Sequence, residues 1–243
     1  MLYLDKIQAM KRIILLLLFI VVSLHSKDIP LSKLSKRSIQ AKLNIVNGYS
    51  AECVMDYFYT NSKWHKIKGE VGRNGIDGLY IKKKSGIIKE VLVAESKWNT
   101  SRLGKSGKNK LTKQMSQKWV LRTLERLKKY GTIKDYETIK KFVVNNQYRA
   151  RLFKLLPINN DSIQIKLYKI KNKGFNAYDI FPERDLKPID LSTPRNSFEK
   201  NIIQAYNVCR KKGLDKYLPD LTDKQVSILL RDNYIKANDV IEL

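Results

Sequence analysis

Gly75-Ile76-Asp77-Gly78-Leu79-Tyr80, followed after a lysine-rich turn by Val91-Leu92-Val93-Ala94-Glu95-Ser96-Lys97, decides how the rest of the chain is read. Strand alternation puts Val91, Val93, Glu95 and Lys97 on one face of the second run and Leu92, Ala94 and Ser96 on the other. Glu95 and Lys97 are then neighbours at the end of an apolar strip. Lys84-Ser85-Gly86 reads as the loop of an antiparallel hairpin, and pairing about Gly86 sets Asp77 directly across from Glu95. Two carboxylates and an ammonium at one end of a half-buried hairpin are costly unless they bind something, and a divalent metal with a phosphate suits them. The alternative is an edge strand, on which Asp77 is a turn acid and Glu95 with Lys97 an exposed ion pair.

Working outward, residues 27–47 read as a lysine- and serine-rich linker. A helix is expected from about Ser50, with Ala51, Val54, Met55 and Phe58 on its buried face. That start places Glu52 near the helix N-terminus, where the dipole favours an acid. Beyond the hairpin, Arg102, Lys105, Lys108 and Lys110 make residues 101–110 a basic, glycine-containing loop. A helix over 112–129 follows, burying Met115, Trp119, Val120, Leu124 and Leu127, and a second over 135–145 buries Tyr136, Ile139 and Val143. Strands are expected over 149–156 and 163–170, the latter alternating Ile163, Ile165 and Leu167 against Gln164, Lys166 and Tyr168. Helix, strands, helices, strands describe an α+β fold with a central mixed sheet flanked by helices. Residues 171–243 carry Pro182, Pro188 and Pro194, a helix over 197–212, and a capping box between Thr222 and Gln225. They are expected to form a small C-terminal helical appendage.

The chain has 243 residues, 43% of them hydrophobic, which is enough for one substantial core. Its formal charge of +25 is uneven: residues 1–26 hold three basic and one acidic residue, 171–243 hold thirteen and eleven, and 27–170 hold the remaining +21. A polyanion, nucleic acid or an anionic membrane surface, is the natural partner for that middle segment. With only Cys53, Cys209, His25 and His65 available, a zinc framework and a paired-histidine nuclease are both excluded within one chain. Any metal must be held by oxygen, which favours Mg²⁺ or Mn²⁺. Two separately buried thiols are expected of the cysteines, with a disulfide as the alternative in an oxidising compartment. His65, beside Trp64, is read as structural, and Lys82, Lys83 and Lys84 as a solvated turn with substrate phosphate contact as the alternative. Lys6, Lys11 and Arg12 precede twelve apolar or small residues, 13–24, in the manner of a signal peptide, with an uncleaved membrane anchor as the alternative. The run is shorter than the roughly twenty residues that span a bilayer as a helix.

Asp77 ahead of a Glu95-Ser96-Lys97 strand, with Glu52 on a preceding helix, resembles the PD-(D/E)XK nuclease superfamily, Ile76-Asp77 standing where many members have Pro-Asp. Glu95-Ser96-Lys97-Trp98-Asn99, Leu103-Gly104 and Lys113-Gln114-Met115-Ser116 with Trp119 extend the likeness. Over residues 48–170 the chain is similar to the restriction-endonuclease-fold toxin domains of bacterial contact-dependent and polymorphic toxins. The resemblance implies a metal-dependent nuclease acting on DNA, or on RNA such as transfer RNA, and the signal-like segment implies export to the periplasm or beyond. Asp77 and Glu95 would hold Mg²⁺ or Mn²⁺, Lys97 would orient or help deprotonate the attacking water, and Glu52 would be a third ligand. Gln114 matches a glutamine near the site in related nucleases, and Glu70 is the rival third carboxylate. An immunity protein is the implied protein partner, and a membrane enters only through an uncleaved N-terminal segment. A non-catalytic nucleic-acid-binding protein on the same scaffold is the different-class alternative.

Overall fold

A computed structural model describes residues 36–67, 75–106, 109, 111–130, 135–159 and 161–218. The N-terminal segment 1–26, Glu70 and the Thr222–Gln225 capping box lie outside them. The elements run α1 (Lys36–Asn61), β1 (His65–Lys66), β2 (Gly78–Lys84), β3 (Ile87–Trp98), β4 (Lys105–Ser106), β5 (Thr112–Lys113), α2 (Gln117–Tyr130), α3 (Tyr136–Val144), β6 (Arg149–Asn159), β7 (Ser162–Gly174), β8 (Ala177–Asp185), β9 (Ile189–Asp190) and α4 (Ser197–Tyr217). The fold is α+β, as expected: one mixed sheet in the order β1-β2-β3-β6-β7-β8, with β9 also on β7 and helices on both faces. β3 and β6 are parallel, and α2 and α3 form the crossover that parallel neighbours require.

Alternation along β3 sorts the core into two layers. Leu92, Ala94 and Trp98 join Val54, Met55 and Phe58 of α1 and Ile202, Ile203 and Tyr206 of α4 on one face. Val91 and Val93 join Trp119, Val120 and Leu124 of α2 and Ile139 and Val143 of α3 on the other. β3 is therefore interior to the sheet, not an edge, and Glu95 is only 2% exposed.

The hairpin reaches the expected register by an unexpected route. Ser85 and Gly86, at φ 50° and 78°, form a two-residue turn of the kind that needs positive φ at both positions. Lys84 pairs with Ile87 across it, a register that would bring Asp77 opposite Ala94. A bulge between Lys82 and Lys83 shifts the ladder by one, so that Gly78 faces Ala94 and the next position outward sets Asp77 against Glu95. Gly78 is required by its neighbour: a Cβ there would lie 2.4 Å from the Tyr80 ring, which folds back over it.

Several expectations are corrected. α1 begins at Lys36, inside the stretch read as a linker, so Glu52 sits in mid-helix and the dipole does not account for it. Lys113, Gln114 and Met115 precede α2 instead of belonging to it: Met115 has φ 69°, and Ser116 accepts from the Trp119 N–H as an N-cap. The boundary expected after residue 170 does not exist, because β7 continues to Gly174 and pairs with β8. The C-terminal helix is no appendage: Ile202, Ile203 and Tyr206 complete the core, and Tyr206 stacks on Trp98 with ring centroids 6.3 Å apart. Cys53 and Cys209 are bonded to each other, tying α4 to α1 across 156 residues of chain, a crosslink worth about 2–4 kcal/mol. The two thiols were expected apart because spacing in sequence says nothing of two helices that meet only in the fold. Among the described residues, no helix is long and apolar enough to cross a membrane.

Candidate active site

Glu52, Asp77, Glu95, Lys97 and Gln114 line a single cleft of about 720 Å³. It opens beyond the end of β3, between α1 and the 101–106 loop. Every residue picked out as a site from the sequence thus faces one space, apart from Glu70, which lies outside the described residues.

Asp77 stands just before β2, and its Oδ2 accepts from the Ser96 N–H at 2.9 Å and the Ser96 hydroxyl at 3.2 Å. These bonds fix its carboxyl against β3, where it comes within hydrogen-bonding reach of Glu95. Burial raises the Asp77 pKa, Lys97 and the Ser96 donors pulling the other way. Glu95 is pushed well up by burial first and by Asp77 second, with Lys97 opposing. Its Oε1 accepts from Lys97 Nζ at 2.7 Å and from Gln114 Nε2, while its Oε2 is buried without a donor. Two buried carboxyls so placed hold either a proton or a cation between them.

Gln114 reaches the site through backbone ties: its N–H donates to the Gly104 carbonyl at 2.9 Å, and its Oε1 accepts from the Gly104 N–H at 2.9 Å. The Leu103-Gly104 and Lys113-Gln114 segments are thereby one unit, bracing the glutamine that holds Glu95. Glu52 faces the cleft from α1. One turn on, Asp56 is taken up by the Tyr80 hydroxyl and Lys66. Burial, then Asp77, lifts the Glu52 pKa from 4.5 to about 7, opposed by Lys66 and Lys97. Asp77 is thus near enough to Glu52 to act on its charge, and the two share the cleft with Glu95.

The donor set fits a hard cation. Oxygen ligands in a buried pair, one oxygen lacking a donor, are what Mg²⁺ or Mn²⁺ would satisfy and what water alone leaves costly. Asp77 and Glu95 would hold it, with Glu52 on the α1 wall of the same cleft able to join them or to bind its water. His65 is exposed on β1, away from the cleft. Lys82 lies over the Trp64 ring and Lys83 pairs with Asp135, which leaves Lys84 as the solvated end of the turn.

Set against known families, characterised proteins and solved structures, the chain matches none. The site therefore rests on its own geometry.

Two contributors were missed in the sequence. Ser96, read only as the spacer of an acid-x-lysine pattern, is the residue that positions Asp77. Gly48 lines the cleft four residues before Glu52 on α1, and a Cβ there would meet nothing within 4 Å. A mid-helix glycine costs about 0.5–1 kcal/mol relative to alanine, and no packing demands this one. Its signal was a glycine just ahead of the expected helix start at about Ser50, a position that α1 in fact runs through. Gly48→Ala should raise stability by about that amount in chemical denaturation, whereas Gly48→Phe should keep the fold and obstruct the cleft.

Proposed function

We propose that the chain is a metal-dependent nuclease that hydrolyses phosphodiester bonds, with DNA as the preferred substrate. The observation that carries this reading is the buried Asp77–Glu95 carboxyl pair with Lys97 bonded to it, opening on a cleft walled by Arg102 and Lys105. A divalent cation there would supply charge for the scissile phosphate and an acidified water. Asp77 and Glu95 are the cation's holders. Lys97, tethered to Glu95, presents an ammonium where negative charge grows on the phosphate as it is attacked. Gln114 and Ser96 keep the two acids in place, and Arg102 and Lys105 draw in a polyanion. The +21 carried by residues 27–170, the segment that builds the cleft, supports a nucleic-acid substrate.

Export fits the same reading. The signal-like residues 1–26 would carry the protein out of the cytoplasm, and the Cys53–Cys209 bond suits a periplasmic or extracellular setting. A basic enzyme so placed would spare its host's chromosome, and an immunity protein would guard the producing cell if it is a toxin.

The test is digestion of plasmid and transfer RNA by the purified protein with Mg²⁺, with Mn²⁺ and with EDTA, beside Lys97→Ala. Metal-dependent cutting that Lys97→Ala removes is expected. Cutting of RNA alone reverses the substrate choice, and binding with no metal-dependent cutting makes the protein a nucleic-acid-binding module instead.

A further inference from the structure

Residues directly opposite one another on neighbouring strands share a face. Lys97 of β3 pairs with Lys154 of β6, and Lys154 with Lys166 of β7. Three lysines therefore stand side by side, one strand spacing of about 4.8 Å apart, in a row that starts at the candidate active site. Like charges directly opposite on a sheet destabilise it. The two outer members are offset: Lys97 by Glu95 at 2.7 Å and Lys166 by Asp185 at 3.2 Å. The middle one is not. Lys154 is half-buried, and the charged group that acts on it among the described residues is another cation, Arg102. Burial and that guanidinium together push its pKa down from 10.5. Arg102 projects from the loop that walls the cleft and lies near enough to act on Lys154, which stands one strand over from Lys97. Phe153 and Leu155 on either side point into the opposite core layer and do not explain a lysine here.

We propose that Lys154 and Arg102 hold a backbone phosphate of the substrate strand, next along from the phosphate that is cut. A planar guanidinium and a point-charge ammonium from separate elements suit a tetrahedral, singly charged phosphodiester and carry no base preference. The site rests on the nuclease reading for what is cut beside it, and the strand would run from the Asp77–Glu95 pair past Lys97 toward β6.

The experiment is fluorescence anisotropy of a labelled DNA duplex across a salt series, in EDTA so that nothing is cut. It compares the wild type with Lys154→Met, Arg102→Gln, Lys154→Arg and Lys200→Met. The last removes one charge from an exposed position on α4 and serves as the control. Lys154→Met and Arg102→Gln should each weaken binding about 5–10-fold near 0.1 M salt and flatten the log K against log salt slope by about one phosphate. Lys154→Arg should retain both, and Lys200→Met should change neither. Thermal melts of each variant separate a lost contact from a lost fold. The proposal is overturned if Lys154→Met loses no more than Lys200→Met, or if the wild type does not bind. Intact binding with Lys154 and Arg102 dependence but no cutting under Mg²⁺ would instead retire the nuclease reading and leave the phosphate site standing.

Discussion

Asp77→Asn is expected to reduce metal-dependent cleavage by at least about 10³-fold and, in the same protein, to raise the unfolding temperature measured without metal. The two effects share one cause. Asparagine keeps an acceptor for the Ser96 N–H and hydroxyl that now meet Asp77 Oδ2. It also brings an N–H toward Glu95, whose Oε2 is buried without a donor. A contact between two buried acids that has to take up a proton or a cation becomes a hydrogen bond that needs neither, while the cation loses a charged ligand. A gain of about 1 kcal/mol corresponds to about 2–4 °C in a protein of this size. Scanning calorimetry in EDTA beside a cleavage assay reads both quantities. A variant that still cuts sinks the site; one that loses stability along with activity shows that Asp77 is a structural acid.

The second large effect is a pH dependence of stability that divalent metal reverses. Glu52, Asp77 and Glu95 all have folded-state pKa values above their ordinary ones. Between the unfolded and folded values the native state binds more protons than the unfolded chain, so stability falls as pH rises through that window. For Glu52 the window runs from 4.5 to about 7, on the order of 3 kcal/mol, burial being the largest cause. The groups facing Glu52 are Asp77 and Asp56, which raise it, and Lys66 and Lys97, which lower it. In EDTA, the melting temperature should therefore drop between about pH 5 and pH 8, and Glu52→Gln should flatten the drop. Saturating Mg²⁺ should restore stability most at pH 8, by about 2–3 kcal/mol at a hundredfold excess over its dissociation constant. A metal-free melting temperature that holds or climbs across that range would show that the acids are not buried against one another.

How much of this was legible beforehand depends on range. The alternation of Val91 to Lys97 and the stripes of the 117–130 and 136–144 helices are set by neighbours a few residues away, and these elements exist as their spacing predicts, α2 starting later than expected. The pairing of Asp77 with Glu95 was also legible, although a bulge, not the turn, supplies the final step of register. The start of α1 was not, because Lys36–Asn61 contains a glycine and many polar residues and is held as a helix largely by α4, a partner distant in sequence. The same distance hid the Cys53–Cys209 bond and the bond from Arg210 to Asn47, at 2.8 Å, which together fasten the α1 wall of the cleft.

What the sequence determined by itself is the chemistry: two acids and a lysine at the end of an apolar strand, a strongly basic middle, and too few histidines and cysteines for a zinc framework or a paired-histidine nuclease. What only the tertiary structure decided is where that chemistry sits. Placing β3 inside the sheet buried Glu95 to 2% exposure, and a buried acid pair, unlike an exposed one, must take a proton or a cation. The parallel pairing of β3 with β6 likewise set Lys154 beside Lys97, a neighbour that a separation of 57 positions conceals and a ladder of hydrogen bonds imposes.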